Sequence, residues 1–182
     1  IYIFNYKELR KYLIADAADE NSKHDFGMNI IPSMLADKKK LYAWTFDGYW
    51  KDVGTVESLW QANMDLLDDK ELDLYNIKKD WKIYSEDTLG KPQLIGKDAS
   101  VKNSLVTQGC VVNGEVEGSV LFSNVNVGEG AKVIDSVLMP GVLIEEGAVV
   151  KKAIIDEGVV IKAGTVVNEE AEEVALVSGN SR

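Results

Sequence analysis

From Ile95 onward the sequence repeats itself, and this repeat limits the possible folds more than anything else in the chain. Units starting at Ile95, Val112, Val127, Ile144 and Ile161 align with offsets of 17, 15, 17 and 17 residues, so the second unit is short by two. Val127, Ile144 and Ile161 fall in step, as do Gly130, Gly147 and Gly164, and Val133, Val150 and Val167. Val137 matches Ile154, and Gly141 matches Gly158. Small and aliphatic residues recur roughly every six positions, which divides each unit into three short strands. One such coil cannot bury its own aliphatic positions, so the coils must stack into a prism with an interior ladder of Val, Ile and Ala. Glycine at the corners permits turns that a Cβ would obstruct. A sandwich of Val-rich strands would not hold Gly and Ala in step across three units. The period is that of a parallel β-helix.

The preceding residues follow a different pattern. "IYIF" at the start is strand-like; Asn5 is placed to cap a helix, with Glu8 at the capping-box position and Tyr6, Leu9, Tyr12 and Leu13 at helical spacing. A second short helix fits "MNIIPSMLAD", with Pro32 in its first turn, and "LYAWTF" alternates as a strand. From Thr55, a cap with Glu57 in the first turn, the residues Val56, Leu59, Trp60, Asn63, Met64 and Leu67 follow a helical period. Residues 71–94 lose periodicity and read as a connection with one short strand in "WKIYS". The expected division is therefore an α/β part over 1–70, a linker over 71–94, the solenoid over 95–167 and a tail over 168–182.

Composition excludes several function classes. Twenty Lys and Arg stand against thirty Asp and Glu, a formal charge of -10, and the only basic run is Lys38, Lys39 and Lys40. No nucleic-acid footprint is present, and any anionic substrate has to be held by local groups. The single cysteine, Cys110, allows no internal disulfide and reads as core. Without an apolar leader or a run of about 18 apolar residues, the expectation is a cytoplasmic protein with no membrane partner. The sequence opens on Ile1 without an initiator Met and reads as cut from a longer chain.

Two polar clusters in the first part could carry chemistry. "SKHDFG" places His24, Asp25, Phe26 and Gly27 ahead of a helix, where Asp25 could simply be a cap. The "DFG" triplet is not kinase-like, because neither a Gly-rich loop with its lysine nor the HRD catalytic loop accompanies it. In "GYWKDVGT", an extended backbone puts Trp50 and Asp52 on one face and Tyr49 and Lys51 on the other. An aromatic ring beside a carboxylate suits stacking on a sugar, and a carboxylate can hold Mg²⁺ bridging phosphate oxygens. An ordinary strand end fits the spacing equally well.

The order "HDFGMNIIP", "GYWKDVGTVESLWQANMDLL", linker, and a hexapeptide repeat containing "DSVLMPGV" closely resembles the C-terminal part of bacterial glucose-1-phosphate adenylyltransferases. The resemblance runs from Ile1 to about Val167. It implies the end of a Rossmann-like nucleotidyltransferase domain followed by a left-handed parallel β-helix of hexapeptide repeats. It also implies that Asp25 and Phe26 contact glucose 1-phosphate or the sugar of ADP-glucose, that Trp50 and Asp52 form another sugar-site pair, and that Asp52 helps bind the catalytic Mg²⁺. Met28 and Asn29 stand where many relatives have Lys-Asp, so neither receives a role, and His24 receives none. The implied reaction joins ATP and glucose 1-phosphate into ADP-glucose and pyrophosphate for glycogen synthesis, in an allosteric homotetramer. The family's Gly-rich nucleotide loop, its other metal-binding Asp and the lysine for the sugar phosphate have no match here, so this chain alone is expected to be inactive. Hexapeptide solenoids that are themselves acyltransferases use a histidine base, and the sole histidine here is His24, far before the first coil. Two other readings stay open: a non-catalytic regulatory or scaffolding subunit, and a nucleotidyltransferase for another sugar 1-phosphate.

Overall fold

The computed structural model describes residues 1–68 and 90–179, and the strand expected in "WKIYS" lies outside them. The chain divides into two compact units, Ile1–Gly48 and Tyr49–Arg182. The boundary leaves the residues after Gly48, including the helix that starts at Val56, with the solenoid.

In the first unit, α1 spans Tyr6–Ala17. As its sequence suggests, the Asn5 side chain accepts from the backbone N–H groups of Lys7 and Glu8, satisfying donors that have no partner inside the helix. Glu8 bonds Lys11 and Lys39, which hold its carboxyl down at about 2. A π-helical turn, Phe26–Ile30, runs into α2, Ile31–Ala36, and Pro32 falls in the first turn of α2 where no N–H is needed. Ile30 and Met34 are the buried side chains here. Residues 1–4 and 41–46, strand-like by alternation, form no strand among the described residues, and Ile1, Ile3, Tyr42 and Trp44 are exposed. Alternation records which side chains share a face, whereas a strand also needs a neighbour to take its backbone hydrogen bonds.

The repeat folds as its register demands. Three parallel sheets, each five strands deep, run along the three sides of a solenoid. On the first side Val112 pairs with Val127, Val127 with Ile144 and Ile144 with Ile161. On the second, Val116, Val133, Val150 and Val167 stack in turn, and on the third Leu121, Leu138 and Ile155 do so. These inward positions form one continuous core with Cys110, Val125, Ala131, Val142, Ala148 and Ala153, most of them fully buried. The Cys110 thiol donates to the Phe122 carbonyl, and burial pushes its pKa up, so it behaves as core. Ala175–Val177, which the sequence reading sets in the tail, forms the fifth strand of the third side.

The two-residue deficit lies at one corner. The first and third coils turn from the first to the second side through residues 96–99 and 128–131, whereas the second coil uses only Asn113 and Gly114. Pulled inward, Gly114 has no room for a side chain: a Cβ would lie 2.4 Å from the Ala131 carbonyl oxygen and 2.7 Å from that of Gly128. Another corner is sealed by a serine ladder. Ser104, Ser119 and Ser136 hydroxyls donate to carbonyls two residues earlier, and each accepts an N–H from the next coil, from Ser119, Ser136 and Ala153 in turn. Ser119 and Ser136 are completely buried, so removing one hydroxyl strands a buried donor at a cost of about 1–3 kcal/mol.

Gly114→Ala is therefore expected to destabilise the solenoid by about 3 kcal/mol or more, because backbone atoms must move. Gly147→Ala, at a left-handed φ of 65° with open space around it, is expected to cost only about 1–2 kcal/mol. Thermal unfolding followed by circular dichroism distinguishes them, and equal midpoints would refute the tight-corner explanation.

Candidate functional site

Thr55 ends the extended segment and starts α3, Val56–Met64. Its hydroxyl accepts from the Ser58 N–H at 3.1 Å, and the Ser58 hydroxyl accepts from the Thr55 N–H at 3.0 Å. The capping box is thus closed by Ser58, one residue beyond the Glu57 that the sequence suggested for the first turn. Immediately upstream, residues 49–54 form no strand among the described residues, yet the side chains of 49–52 alternate between half-buried and exposed as an extended backbone requires.

One side of this segment is bound to Asp65, the residue that caps the C-terminal end of α3. The Tyr49 hydroxyl donates to Asp65 Oδ2 at 2.8 Å, and Lys51 Nζ lies 3.2 Å from the same oxygen. Gln61, one turn earlier on the helix, donates to Oδ1 at 2.8 Å. Burial raises the carboxyl pKa, but the bonds from Gln61, Tyr49 and Lys51 outweigh it and hold Asp65 below its ordinary value. The other side carries the predicted pair: Trp50 is 61% exposed, and Asp52 is exposed too.

The helix is itself fastened to the solenoid. Trp60 Nε1–H donates to the Asp135 carbonyl at 2.7 Å, and Lys152 Nζ lies 5.5 Å from the centre of the Trp60 ring, within cation–π range. Asp135 and Lys152 are successive positions of a corner ladder that also includes Asn103 and Gly118, all four with left-handed φ. A cavity of about 650 Å³ lies alongside, lined by Met64, Leu67 and Asp68 on the helix side and by Asn103 and Gly118 on the corner.

Asp25 and Phe26 belong to the first unit. Asp25 caps the π-helical turn, its Oδ1 accepting from the Met28 N–H at 2.7 Å, which leaves its second oxygen for other partners. Phe26 is half-buried and stacks on Tyr2 and Phe4, each with ring centroids 5.7 Å away. His24, with a left-handed φ of 54°, pairs through Nδ1 with Asp16 at 2.8 Å, and Asp16 also accepts from the Ser22 hydroxyl. Asp25 adjoins Phe26 in one unit, and Trp50 shares the segment of Asp52 in the other.

For a divalent metal, Asp52 offers the right donor type. Among the described residues its carboxylate joins no hydrogen bond or ion pair, so its lone pairs are available to a hard cation. No group of three or more His, Cys, Asp or Glu suited to a metal occurs among the described residues. Mg²⁺ commonly takes only one or two protein carboxylates and completes its shell with phosphate oxygens and water, so a single Asp fits a shared site.

Both parts of the chain are similar to known protein families. Residues 1–69 match the nucleotidyl transferase family, and residues 93–176 match the GlmU-like C-terminal hexapeptide family. A glucose-1-phosphate adenylyltransferase of Clostridium beijerinckii is 57% identical over 136 residues, covering 74% of this chain and 35% of that protein. Enzymes of the same name from Fusobacterium nucleatum and Geobacillus stearothermophilus are 51% and 54% identical, over 74% and 73% of this chain and 35% and 34% of theirs. The chain is a relative of the glucose-1-phosphate adenylyltransferases. It spans about a third of the length of the curated relatives it matches. No helix of the described residues is long and apolar enough to cross a membrane.

Sequence reasoning singled out Trp50 and Asp52 as candidates but did not single out Trp60 or Asp65. Trp60 read as one more apolar helix position, and Asp65, inside the helical period between Met64 and Leu67, was given no role. The spacing of Gln61 and Asp65, one turn apart, was the available signal.

Because the folded chain holds Asp65 below the ordinary 3.8, its ionisation stabilises the fold above about pH 4, and that contribution is lost as pH falls through the depressed value. Between about pH 5 and pH 2 the melting temperature of the wild type is expected to fall more steeply than that of Asp65→Asn. Parallel pH profiles would show that Asp65 is not linked to folding.

Proposed function

We propose that this chain is the sugar-binding and solenoid portion of a glucose-1-phosphate adenylyltransferase, divided near residue 70 and again near 94. The intact protein then takes ATP and glucose 1-phosphate to ADP-glucose and pyrophosphate, in the cytoplasm and as a homotetramer. The observation that carries this reading is the two-sided segment after Gly48: Tyr49 and Lys51 are tied to Asp65, while Trp50 and Asp52 are exposed. The relatives named for this activity support the substrate assignment.

In this mechanism an oxygen of the glucose 1-phosphate attacks the α-phosphorus of ATP, and the bond from that phosphorus to the bridging oxygen breaks as pyrophosphate leaves. The protein forms no covalent intermediate, so its work is orientation and charge stabilisation. Trp50 presents an apolar ring on which the glucose face can stack. Asp25 has one oxygen committed to its cap and a second to accept a sugar hydroxyl, with Phe26 beside it. Asp52 is the residue that would hold Mg²⁺, which when bound neutralises phosphate charge. The solenoid, in this reading, supports assembly and regulation.

The test uses the longer polypeptide that carries this sequence. It is expected to form ADP-glucose from ATP and glucose 1-phosphate, and Asp52→Asn to lower kcat by about 10²-fold or more. Formation of a different nucleotide sugar would move the protein to another branch of the family, and an unchanged kcat in the mutant would remove Asp52 from the metal role.

A further inference from the structure

We infer that Asp65 is a positioning residue for the sugar site, acting with Trp60 to make the solenoid the base on which Trp50 and Asp52 are aimed. The inference rests on the adenylyltransferase reading and extends it to residues that touch no substrate. Three observations lead to it. First, residues 49–54 pair with no strand among the described residues, so the side-chain bonds that they do make help to fix their course. Second, the bonds are there and converge: the two side chains that point away from Trp50 and Asp52 both end on one oxygen of Asp65, while Gln61 holds the other oxygen. The Asp65 side chain is only 12% exposed, and a carboxylate bound at both oxygens has little rotational freedom. Third, α3, which Asp65 caps at its C-terminal end, is fixed to a rigid corner through Trp60, Asp135 and Lys152.

The arrangement has a specific consequence. Tyr49 and Lys51 flank Trp50, and Lys51 immediately precedes Asp52. Fixing the two residues that face α3 therefore fixes the rotation of the backbone between them, and with it the direction of the outward pair. A displacement of about 1 Å at such a site can cost up to about 10²-fold in rate. An Asn at position 65 is close in shape and keeps acceptor capacity at one atom, but it gives up the charge that holds Lys51 and the second oxygen that holds the other donor.

Two measurements test this. In this chain labelled with 5-fluorotryptophan, the Trp50 resonance, assigned by its loss in Trp50→Phe, is expected to shift or broaden in Asp65→Asn while the solenoid melting midpoint stays within a few degrees. In the longer polypeptide, the same mutation is expected to raise KM for glucose 1-phosphate about tenfold while KM for ATP changes less than about twofold. Tyr49→Phe, which removes one donor but keeps the ring, should give a smaller rise in the same direction. An unaltered Trp50 resonance, or equal rises in both KM values, would overturn the positioning role even in an active enzyme. Absence of ADP-glucose formation by the parent polypeptide would instead overturn the functional reading on which the role rests.

Discussion

The structure depends on the register of the solenoid ladder. Each coil exposes aliphatic side chains that only the next coil can cover, so Val127, Ile144 and Ile161, and their counterparts on the other two sides, have to lie directly over one another. Backbone pairing and burial demand the same alignment, and the buried hydroxyls of Ser119 and Ser136 enforce it at a corner where one coil's donors would otherwise be unpaired. The result is a rigid column whose corners repeat in both position and backbone conformation.

That rigidity becomes useful because α3 is attached to one of those corners. Trp60 meets a carbonyl at Asp135, a position that the ladder fixes from coils on both sides. Asp65 then carries the constraint from the helix to residues 49–54 through Tyr49 and Lys51. A segment that pairs with no strand among the described residues gains a defined orientation in this way, with Trp50 and Asp52 on its outer side. The division of the chain agrees with this account, since the segment belongs to the same compact unit as the solenoid.

The solenoid was legible because its information is periodic. The offsets of 17, 15, 17 and 17 residues predicted the strand pairs and marked the second unit as short by two, but only the fold shows that the deficit lies at the corner of Asn113 and Gly114. The helix caps at Asn5 and Thr55 were legible because capping is local chemistry. Residues 1–4 and 41–46 misled, since alternation describes a face and says nothing of whether a partner edge is present. The alternation of "GYWKDVGT" correctly separated Trp50 and Asp52 from Tyr49 and Lys51. What Tyr49 and Lys51 contact depends on a helix returning over the segment, and no local pattern encodes that. The same holds for Trp60, whose indole N–H finds its acceptor 75 positions along the chain.

The central claim is that the solenoid, through Trp60 and α3, holds the outward pair in place. Hydrogen–deuterium exchange on this chain and on Trp60→Ala tests it most directly. The account predicts faster exchange of α3 and residues 49–54 in the mutant, with the buried strands around Val133, Val150 and Ile155 as protected as in the wild type. Exchange of α3 and of that segment at wild-type rates in Trp60→Ala would contradict it.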